Sequence, residues 1–429
     1  MDSQKAGRVA FQHPSFVYFQ AARLVAIIGL EMQSVAVGWQ VYEITRQPLA
    51  LGYVGLAQFL PGLLLFLITG HTADRYNRRN LLIICHAGFA LSSTLLFFAT
   101  RSATPDVSHI YAIMVLVGVV RAFSGPASRS ILQMLVPDHH FGNAIAWNAT
   151  FYQAAVLIGP SLGGLAYSFL GGPTSVYTSA VVSAILSAIL LLKVQTRPAL
   201  EHIADSIWAG LRYIRRQKVV LGSISLDLFA VLFGGAVALL PVYASEILHT
   251  GPWGLGLLRS SPAVGAATMA VILAFYPVKK RVGVTLFIFV ALFGVFTILF
   301  GLSRNLWLSM AALFMVGACD MVSIIIRNML VQMSTPDQMR GRVTAIELIF
   351  IGASNELGEF ESGLTAHWFG AVPAVLAGGI GSLLVVALWA YAFPALRKTD
   401  EFTRVSNQSM PDGAAPNRKG HLKSDAPSN

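Results

Sequence analysis

The ten residues Gly70-His71-Thr72-Ala73-Asp74-Arg75-Tyr76-Asn77-Arg78-Arg79 connect two long apolar runs of this chain. The segment holds three arginines and a single acid, Asp74. Arginines that flank an apolar run mark the cytoplasmic side of a membrane, because moving a guanidinium group across a bilayer is costly. We therefore predict a short cytoplasmic hairpin between two membrane helices. A loop that only sets topology does not need Asp74, so a functional hairpin and an ordinary positively charged loop both stay open.

Composition supports a membrane setting for this hairpin. Of the 429 residues, 55% are hydrophobic and only 12% are charged, whereas soluble domains carry about 25% charged residues. The chain is therefore predicted to be an integral membrane protein. The first apolar run is too long for a signal peptide and has no cleavage site, so we expect it to remain as the first membrane helix.

Several other chemistries are not supported by the sequence. Cys85 and Cys319 both lie inside apolar runs, where a cysteine is a small packing residue and not part of a disulfide or metal site. The net charge of +10 comes mainly from basic residues at the ends of apolar runs. Attraction to anionic lipid explains these residues, so no nucleic-acid partner is predicted. The chain has no phosphate-binding loop, and His139 and His140 lack further ligands at metal spacing, so neither a cofactor nor a metal is expected.

Apolar runs of about 20 residues predict an all-α membrane protein with about twelve transmembrane helices. The spans lie near residues 16–44, 49–70, 80–100, 107–134, 142–170, 173–193, 219–247, 254–276, 283–303, 306–333, 342–368 and 372–395. Lys and Arg concentrate in one set of connections: Arg75, Arg78, Arg79, Arg212, Arg215, Arg216, Lys218, Lys279, Lys280, Arg281, Arg340 and Arg342. The opposite connections hold little beyond Arg46, Arg101 and Arg304. Both termini are therefore predicted to be cytoplasmic, in a multi-pass protein of the inner (plasma) membrane.

Four regions follow along the chain. Residues 1–193 are predicted to form an N-terminal six-helix bundle, and residues 219–395 a C-terminal one. Between them, residues 194–218 carry Ile203, Ile207, Leu211 and Ile214 at helical spacing, which predicts an amphipathic helix on the cytoplasmic surface. Residues 396–429 are polar with almost no apolar content, which predicts a disordered cytoplasmic tail.

The two bundles are copies of each other in sequence. Gly118, Ser124, Gln133, Pro137, Asp138, Gly159 and Gly164 recur as Gly317, Ser323, Gln332, Pro336, Asp337, Gly358 and Gly363, at a constant shift of 317 − 118 = 199 residues. Earlier in each copy the shift is 262 − 61 = 201, which pairs Gly55 and Pro61 with Gly256 and Pro262. Because six spans is an even number, both copies enter the membrane from the same side. A duplicated parallel bundle predicts a cavity between the halves that opens alternately to either side.

Several motifs carry a resemblance to a known family. The segment from Gly70 to Arg79 resembles the Gly-x-x-x-Asp-Arg-x-Gly-Arg-Arg motif of the major facilitator superfamily, with Asn77 in place of a glycine. Asn is the residue next to Gly in tolerance of left-handed backbone, so we expect a tight turn there. The fifth span holds Gly159, Pro160, Gly163 and Gly164 of an antiporter-type motif, and Arg121 with Gly125 resembles a further element of the superfamily. Over nearly the whole chain, the sequence is similar to the exporter branch that includes the enterobactin exporter and macrolide efflux pumps.

The duplication predicts a conformational latch at the cytoplasmic face, because the twofold pseudosymmetry brings the second helix beside the eleventh. We expect Asp74 to lie at the positive N-terminal end of the eleventh helix, since an anion is favoured at a helix start. The predicted latch residues are Gly70, Asp74, Arg75, Arg78, Arg79, Arg340 and Arg342.

Charges inside the spans are the candidates for coupling, because each costs at least about 2.5 kcal/mol to insert and should face a cavity or a partner. Arg121 and Asp320 occupy equivalent positions in the two copies, since 320 − 199 = 121, and are predicted to pair across the cavity, with Arg327 as an alternative partner of Asp320. The proton-coupling candidates are Asp227, Asp320, Glu347, Glu356, Glu359 and Glu361. Structural ion pairs and buried hydrogen bonds remain the alternative for these acids.

A few neutral and acidic residues of the first two spans are candidates for contact with substrate. They are Glu31, Gln33, Trp39, Gln40 and Gln58, although such side chains also serve packing between helices. The sequence thus favours a secondary active transporter and not an enzyme: a proton-coupled exporter of small amphipathic molecules, working as a monomer in the lipid bilayer. The alternative is a lipid flippase or a transporter-like sensor. Transport that follows an imposed pH gradient would distinguish the two.

Overall fold

The computed structural model describes residues 9–102, 106–196 and 207–400, apart from a few side chains within helices. Helices α1 to α6 are Pro14–Thr45, Pro48–Arg75, Arg78–Thr100, Val107–Leu132, Asp138–Phe169 and Pro173–Leu192. A short helix α7, Ile207–Arg216, leads into the second half. Helices α8 to α13 are Lys218–Phe233, Gly251–Phe275, Val282–Leu302, Leu306–Met333, Asp337–Phe369 and Ala371–Ala392, followed by a single turn, α14, at Pro394–Arg397. The predicted all-α fold is confirmed.

Within the described residues, ten helical segments are long and apolar enough to cross a membrane, and one of them runs from Lys218 to Ile247. Helices α5 and α12 are not among the ten, although they have 32 and 33 residues. These two helices are the fifth of each copy, and α12 carries four glutamates in its length. The protein is a multi-pass membrane protein, and the count of twelve spans stays a prediction.

The helix contacts repeat between the halves. In the first half α1 packs on α5, α2 on α4 and α3 on α6; in the second, α8 packs on α12, α9 on α11 and α10 on α13. The halves meet through two further pairs, α2 with α12 and α5 with α9. The repeat makes these two contacts equivalent, because α2 corresponds to α9 and α12 corresponds to α5. The molecule therefore has the pseudo-twofold arrangement that the duplicated sequence predicts.

The two ends of the bundle differ in how the halves pack. At the end that carries the connections 46–47, 171–172, 249–250 and 303–305, which we call the sealed end, one hydrophobic cluster includes Val37 and Tyr167 of the first half with Tyr243 and Leu255 of the second. At the other end, which we call the open end, each half has its own cluster, around Phe16 and Ile131 in one and around Leu226 and Leu286 in the other. The halves are therefore packed together at one end and apart at the other.

The predicted span 219–247 is not one continuous α-helix. Helix α8 ends at Phe233, and after a short 3₁₀ segment the chain continues helically from Leu240 to Ile247. The break lies at Gly234 and Gly235. A side chain at Gly235 would come 2.7 Å from the carbonyl oxygen of Gly358, so the missing side chain lets this segment approach α12 closely.

Helix α7 belongs to the second half. Ile214 is buried with Val343 and Ile346 of α12, and the hydroxyl of Tyr213 donates to the carbonyl oxygen of Ser334. Burial raises the pKa of the Tyr213 phenol, which keeps it a donor. The segment before the linker belongs to the first half instead, because Val194 is buried against the first-half cluster and the backbone N–H of Gln195 donates to Ser15. The remainder of the predicted linker, 197–206, lies outside the described residues.

The first residues of the predicted C-terminal tail are folded. Leu396 is buried beside α10, and the backbone N–H of Gly283 donates to the carbonyl oxygen of Thr399 at 2.9 Å. The boundary drawn at residue 396 from composition thus falls a few residues early, because one buried leucine anchors a mostly polar segment. Residues 401–429 lie outside the described part of the chain.

Candidate functional site

A cavity of about 160 Å³ lies between the halves at mid-depth. Both halves line it, with side chains from α1, α2, α4 and α5 on one wall and from α9, α12 and residues 237–241 on the other. The wall is mixed: Ile27, Leu30 and Val37 are apolar, whereas Arg121 and Glu359 are charged. Such a surface fits an amphipathic ligand.

The structure gives Arg121 a different partner from the predicted one. Its guanidinium lies 3.8 Å from a carboxylate oxygen of Glu356 in the other half and donates to Gln58 at 3.0 Å. Asp320 instead lies in a narrow pocket between α8, α10 and α11, next to Asp227 and Phe293. The predicted Arg121–Asp320 pair is therefore absent from this structure. The repeat correctly made the two positions equivalent, but α12 and not α11 carries the acids that face Arg121.

A second cavity arginine was missed by the sequence analysis. Arg259 on α9 lines the cavity and donates to the backbone carbonyl of Ser34 in the first half at 3.2 Å. It interacts electrostatically with Glu356 and Glu359. The sequence does contain an indication of this role. Arg259 lies inside the predicted span 254–276, and its repeat equivalent, at 259 − 201 = 58, is the cavity candidate Gln58.

Five charged side chains therefore meet around the cavity: Glu31, Arg121, Arg259, Glu356 and Glu359. They come from four helices and both halves. With every group ionised, three carboxylates face two guanidiniums, so the cluster carries one negative charge in excess. Taking up a single proton would balance it, and this is the chemistry that the arrangement offers.

Two of the predicted coupling residues, Asp227 and Glu347, form a separate, buried ion cluster with Arg327. The guanidinium of Arg327, only 3% exposed, contacts the carboxylate of Asp227 and lies 3.2 Å from that of Glu347. All three groups belong to the second half, on α8, α11 and α12. Arg327 is therefore not the partner of Asp320 in this structure, and the cluster ties three helices of one half together. Asp320 itself forms no ion pair with any described residue.

The remaining candidates divide between the cavity and helix packing. Gln33 lines the cavity but also accepts from Ser93 at 2.6 Å, and Gln58 holds Arg121. Gln40 lies away from the cavity, bonded to Thr100 and Tyr177, and Trp39 packs against the sealed-end cluster. Glu361 accepts from Thr365 one turn away on its own helix at 2.8 Å.

The predicted antiporter-type motif lies where helices approach closely. A side chain at Gly159 would meet Glu31, and one at Gly163 would lie 2.7 Å from the Cα of Met32, so these glycines bring α5 against α1. Gly164 faces the other half, where an added Cβ would lie 2.9 Å from the Cα of Gly256 on α9. Next to Pro160, the hydroxyl of Ser161 bonds that of Ser260 at 2.8 Å across the same contact. The motif therefore helps to close the sealed end.

An equivalent glycine contact closes the other junction between the halves. Gly363 is the repeat counterpart of Gly164, and its added Cβ would lie 3.1 Å from the Cα of Gly52 on α2. The hydroxyl of Tyr42 donates to the carboxylate of Glu246 at the same end. Two backbone-to-backbone contacts and polar bridges thus add to the shared hydrophobic cluster of the sealed end.

The latch prediction is only partly accessible to the structure. Gly70 lies in the last turns of α2, but the Asp74 side chain is outside the described set, so its position at the start of α12 stays a prediction. Arg75 is exposed, Arg78 is partly exposed, and Arg79 donates to the last carbonyls of α6 at Leu191 and Leu192. Arg340 donates to the carbonyl of Gln332, and Arg342 contacts Met339.

Asn77 does not adopt the expected left-handed backbone. Its φ is −62°, and its side chain accepts from the backbone N–H groups of Arg79 and Asn80. It therefore caps α3, which is a different use of Asn from the turn that its resemblance to glycine implied.

Among the described residues, no group of three or more His, Cys, Asp or Glu side chains is arranged to hold a metal. His140 lies 3.0 Å from the ring of His13 at the start of α1, so its contacts are within the first half.

Two duplicated helical bundles that enclose a charged cavity, packed together at one end, define a membrane transporter of the major facilitator fold. A family model described as transmembrane secretion effector (MFS_3) matches residues 6–421. The chain belongs to this family, whose members are transporters and not enzymes.

Similar proteins agree with this assignment. The chain is 25% identical over 365 residues to the uncharacterized MFS-type transporter YkuC of Bacillus subtilis, covering 79% of this chain and 82% of YkuC. It is also 25% identical over 381 residues to the enterobactin exporter EntS of Escherichia coli O1:K1, covering 87% of this chain and 86% of that protein.

Solved structures share the fold. A bacterial homolog of the human lysosomal transporter Spinster, in an inward-facing and occupied conformation, has a TM-score of 0.71 at 13% identity, over 90% of this chain and 99% of that one. A D-xylose–proton symporter has a TM-score of 0.69 at 15% identity, over 89% of this chain and 98% of that one.

Proposed function

We propose that this protein is a secondary active exporter that moves small amphipathic molecules out of the cell in exchange for protons, by alternating access. It would act as a monomer in the inner membrane with both termini in the cytoplasm. The observation that carries the proposal is the contact between Arg121 and Glu356, which joins the two halves across the cavity at 3.8 Å. A cavity charge pair that spans both halves can link protonation to their relative movement.

The coupling step would act on Glu356 or Glu359. Protonating Glu356 removes the negative partner of Arg121, so the guanidinium is free to turn towards a substrate and the halves lose one contact. The excess of one carboxylate in the cluster supports this step, because a proton is the simplest balancing charge. Asp227 and Glu347 are less suited to carry the proton, since the carboxylates of both already form ion pairs with Arg327.

Alternating access rests on the difference between the two ends. Given the positive charge of the connections at the open end, that end would face the cytoplasm. The described state would then take up substrate from inside, and release would require the glycine contacts of the sealed end to part. The pseudo-twofold relation supplies the equivalent closed arrangement for the other end.

Export of an amphipathic compound is supported by the cavity wall and by the relatives. Apolar side chains of α1 share the cavity with the charged cluster. The relatives named as enterobactin exporters cover most of this chain, which favours efflux over uptake.

The test is transport by purified protein in liposomes with an acidic lumen and the open end outside. Fluorescent cationic ethidium and neutral and acidic naphthalene derivatives are offered as probes. We expect at least one probe to accumulate with the pH gradient and to stop when nigericin collapses it. Movement of labelled phospholipid without dependence on the gradient would replace the proposal with a flippase, and binding without transport would replace it with a sensor.

A further inference from the structure

The first half contains a partly buried arginine with a neutral partner. Arg23, on α1, donates to the backbone carbonyl of Asn148 at 3.1 Å and to its side-chain oxygen at 2.5 Å. Its guanidinium lies 5.3 Å from the ring centre of Tyr152. No described carboxylate lies within ion-pair distance of it.

A second cation, Arg129, interacts with Arg23. Arg129, on α4, acts electrostatically on both Arg23 and Tyr152, and it too forms no ion pair with any described acid. Two neighbouring guanidinium groups repel each other, with Arg23 partly buried and Arg129 exposed, and a bound anion would offset this repulsion.

The second half has a carboxylate at the position that corresponds to the Arg23 partner Asn148. Asn148 corresponds to Glu347, since 347 − 199 = 148, and Glu347 with Asp227 neutralises the buried Arg327. In the first half an amide replaces the carboxylate at that position. Within the described part of the chain, no carboxylate therefore neutralises Arg23, whereas two carboxylates neutralise Arg327.

Arg23 lies beside the transport cavity. Ile27 and Tyr152 both line the cavity, and Arg23 is one helical turn from Ile27 on the same face of α1. Tyr152 is 46% exposed, so its surroundings are open to water. From Arg23 to Glu31 the rise along the helix is about 12 Å. This distance matches the length of a small amphipathic molecule. The apolar residues Ile27 and Leu30 lie between Arg23 and Glu31.

We propose that Arg23 and Arg129 form an anion-binding subsite that selects amphipathic substrates with an acidic group. The acid group binds at the arginines, on the side of the open end, and the apolar body enters the cavity towards Glu31. A lipid headgroup phosphate presents the same chemistry as a carboxylate of a soluble amphiphile. The inference deepens the proposed export function and rests on it for the direction of movement.

Binding to the full-length protein in phosphatidylcholine nanodiscs tests the subsite. The probes are radiolabelled 1-naphthylacetate and decanoate, each compared with its neutral amide. We expect at least one acid to bind about tenfold more tightly than its amide, since hydrogen bonds to a charged group are the stronger ones. Arg23→Gln and Arg129→Gln should each abolish this preference and leave amide binding unchanged. Arg23→Lys should restore most of it.

The matched control is Arg101→Gln. Arg101 also lies 5.3 Å from an aromatic ring, that of Phe97, but at the sealed end of the bundle, so the acid preference should persist. The proposal is overturned if neither acid binds, if acids and amides bind alike, or if Arg23→Gln keeps the preference. Competition by added phosphatidylglycerol would identify a lipid headgroup as the anion source, and its absence would leave soluble acids.

The two proposals fail in different ways. Gradient-driven transport of ethidium or of a neutral probe, without any preference for acids, would remove the anion subsite and leave the exporter. Acid-selective binding that depends on Arg23, without transport of any probe, would remove the exporter and leave the subsite.

Discussion

Arg121 and Arg327 lie about two turns apart on equivalent helices, since 327 − 199 = 128, yet water reaches them to very different extents. The Arg121 side chain is 53% exposed and lies 3.8 Å from Glu356, whereas Arg327 is 3% exposed between two carboxylates. A hydrated ion pair opens at little cost, but separating a buried one leaves an uncompensated charge. Arg121 is therefore suited to exchange partners, and Arg327 to hold one half together.

Neutralising the hydrated pair should uncouple transport. We expect Glu356→Gln to abolish accumulation driven by a pH gradient, because the proton acceptor that releases Arg121 is lost. The protein should still fold, and substrate exchange without a gradient should persist. Full gradient-driven transport by this variant would count against Glu356 as the carrier. Glu43→Gln is the matched control, since Glu43 accepts from Tyr167 outside the cavity.

Breaking the buried cluster should destabilise the protein instead. Arg327→Met leaves Asp227 and Glu347 facing each other without a cation, and removal of one partner from a buried ion cluster costs about 3–5 kcal/mol. We expect a clearly lower thermal unfolding midpoint, measured by intrinsic fluorescence in detergent. A triple variant that also carries Asp227→Asn and Glu347→Gln should recover part of the loss. An unchanged midpoint in Arg327→Met would show that these groups do not stabilise the fold.

Sequence reasoning reached the right residue types at this scale and the wrong pairing. A charge inside an apolar run needs a cavity or a partner, and the structure places Arg121, Glu356 and Glu359 around the cavity and Arg327 with its two acids in the buried cluster; their roles in coupling stay predictions. The repeat relates positions along the chain but does not state which way a side chain points. Asp320 therefore was assigned to Arg121, although it lies among α8, α10 and α11.

At the scale of helices, the sealed end depends on glycines that bring backbones into contact. Gly164 meets Gly256 between α5 and α9, and Gly363 meets Gly52 between α2 and α12. A new side chain there would press against main-chain atoms, which cannot rotate away.

Gly164→Val should therefore open the sealed end. We expect the distance between spin labels at Arg101→Cys and Arg304→Cys, one in each half, to shift to longer values in a background without Cys85 and Cys319. Gly62→Val, also within a helix but with open space around it, should leave the distance distribution unchanged. A variant at Gly164 with the distances of the parent protein would show that this contact does not determine closure.

Helix positions were largely predictable, because an apolar run of membrane length has few alternatives. The predicted spans agree with the observed helices to within a few residues at most ends. The break at Gly234 and Gly235 was not predicted, since two glycines within a long apolar run are compatible with a continuous helix until a neighbour requires close approach. The break exists because α12 lies against it.

At the scale of the molecule, two states must be close in free energy for transport to proceed. The predicted latch at Asp74 would contribute to the state that is closed at the cytoplasmic end. We expect Asp74→Asn to favour the state described here, with faster maleimide labelling of a cysteine at Ser128, on the Arg121 face of α4, from the open end. Asp106→Asn, the same change in the cap of α4 at the sealed end, should not alter labelling. Equal rates in Asp74→Asn and the parent protein would count against the latch.

The placement of α7 has a mechanical consequence for such movements. Val194 packs on the first half and α7 packs on the second, so the ten residues 197–206 connect the two halves along the chain. A fully extended chain of ten residues spans at most about 36 Å. In the proposed exporter, this connection would set an upper limit on how far the two halves separate at the open end, and with it on the width of a substrate that enters there.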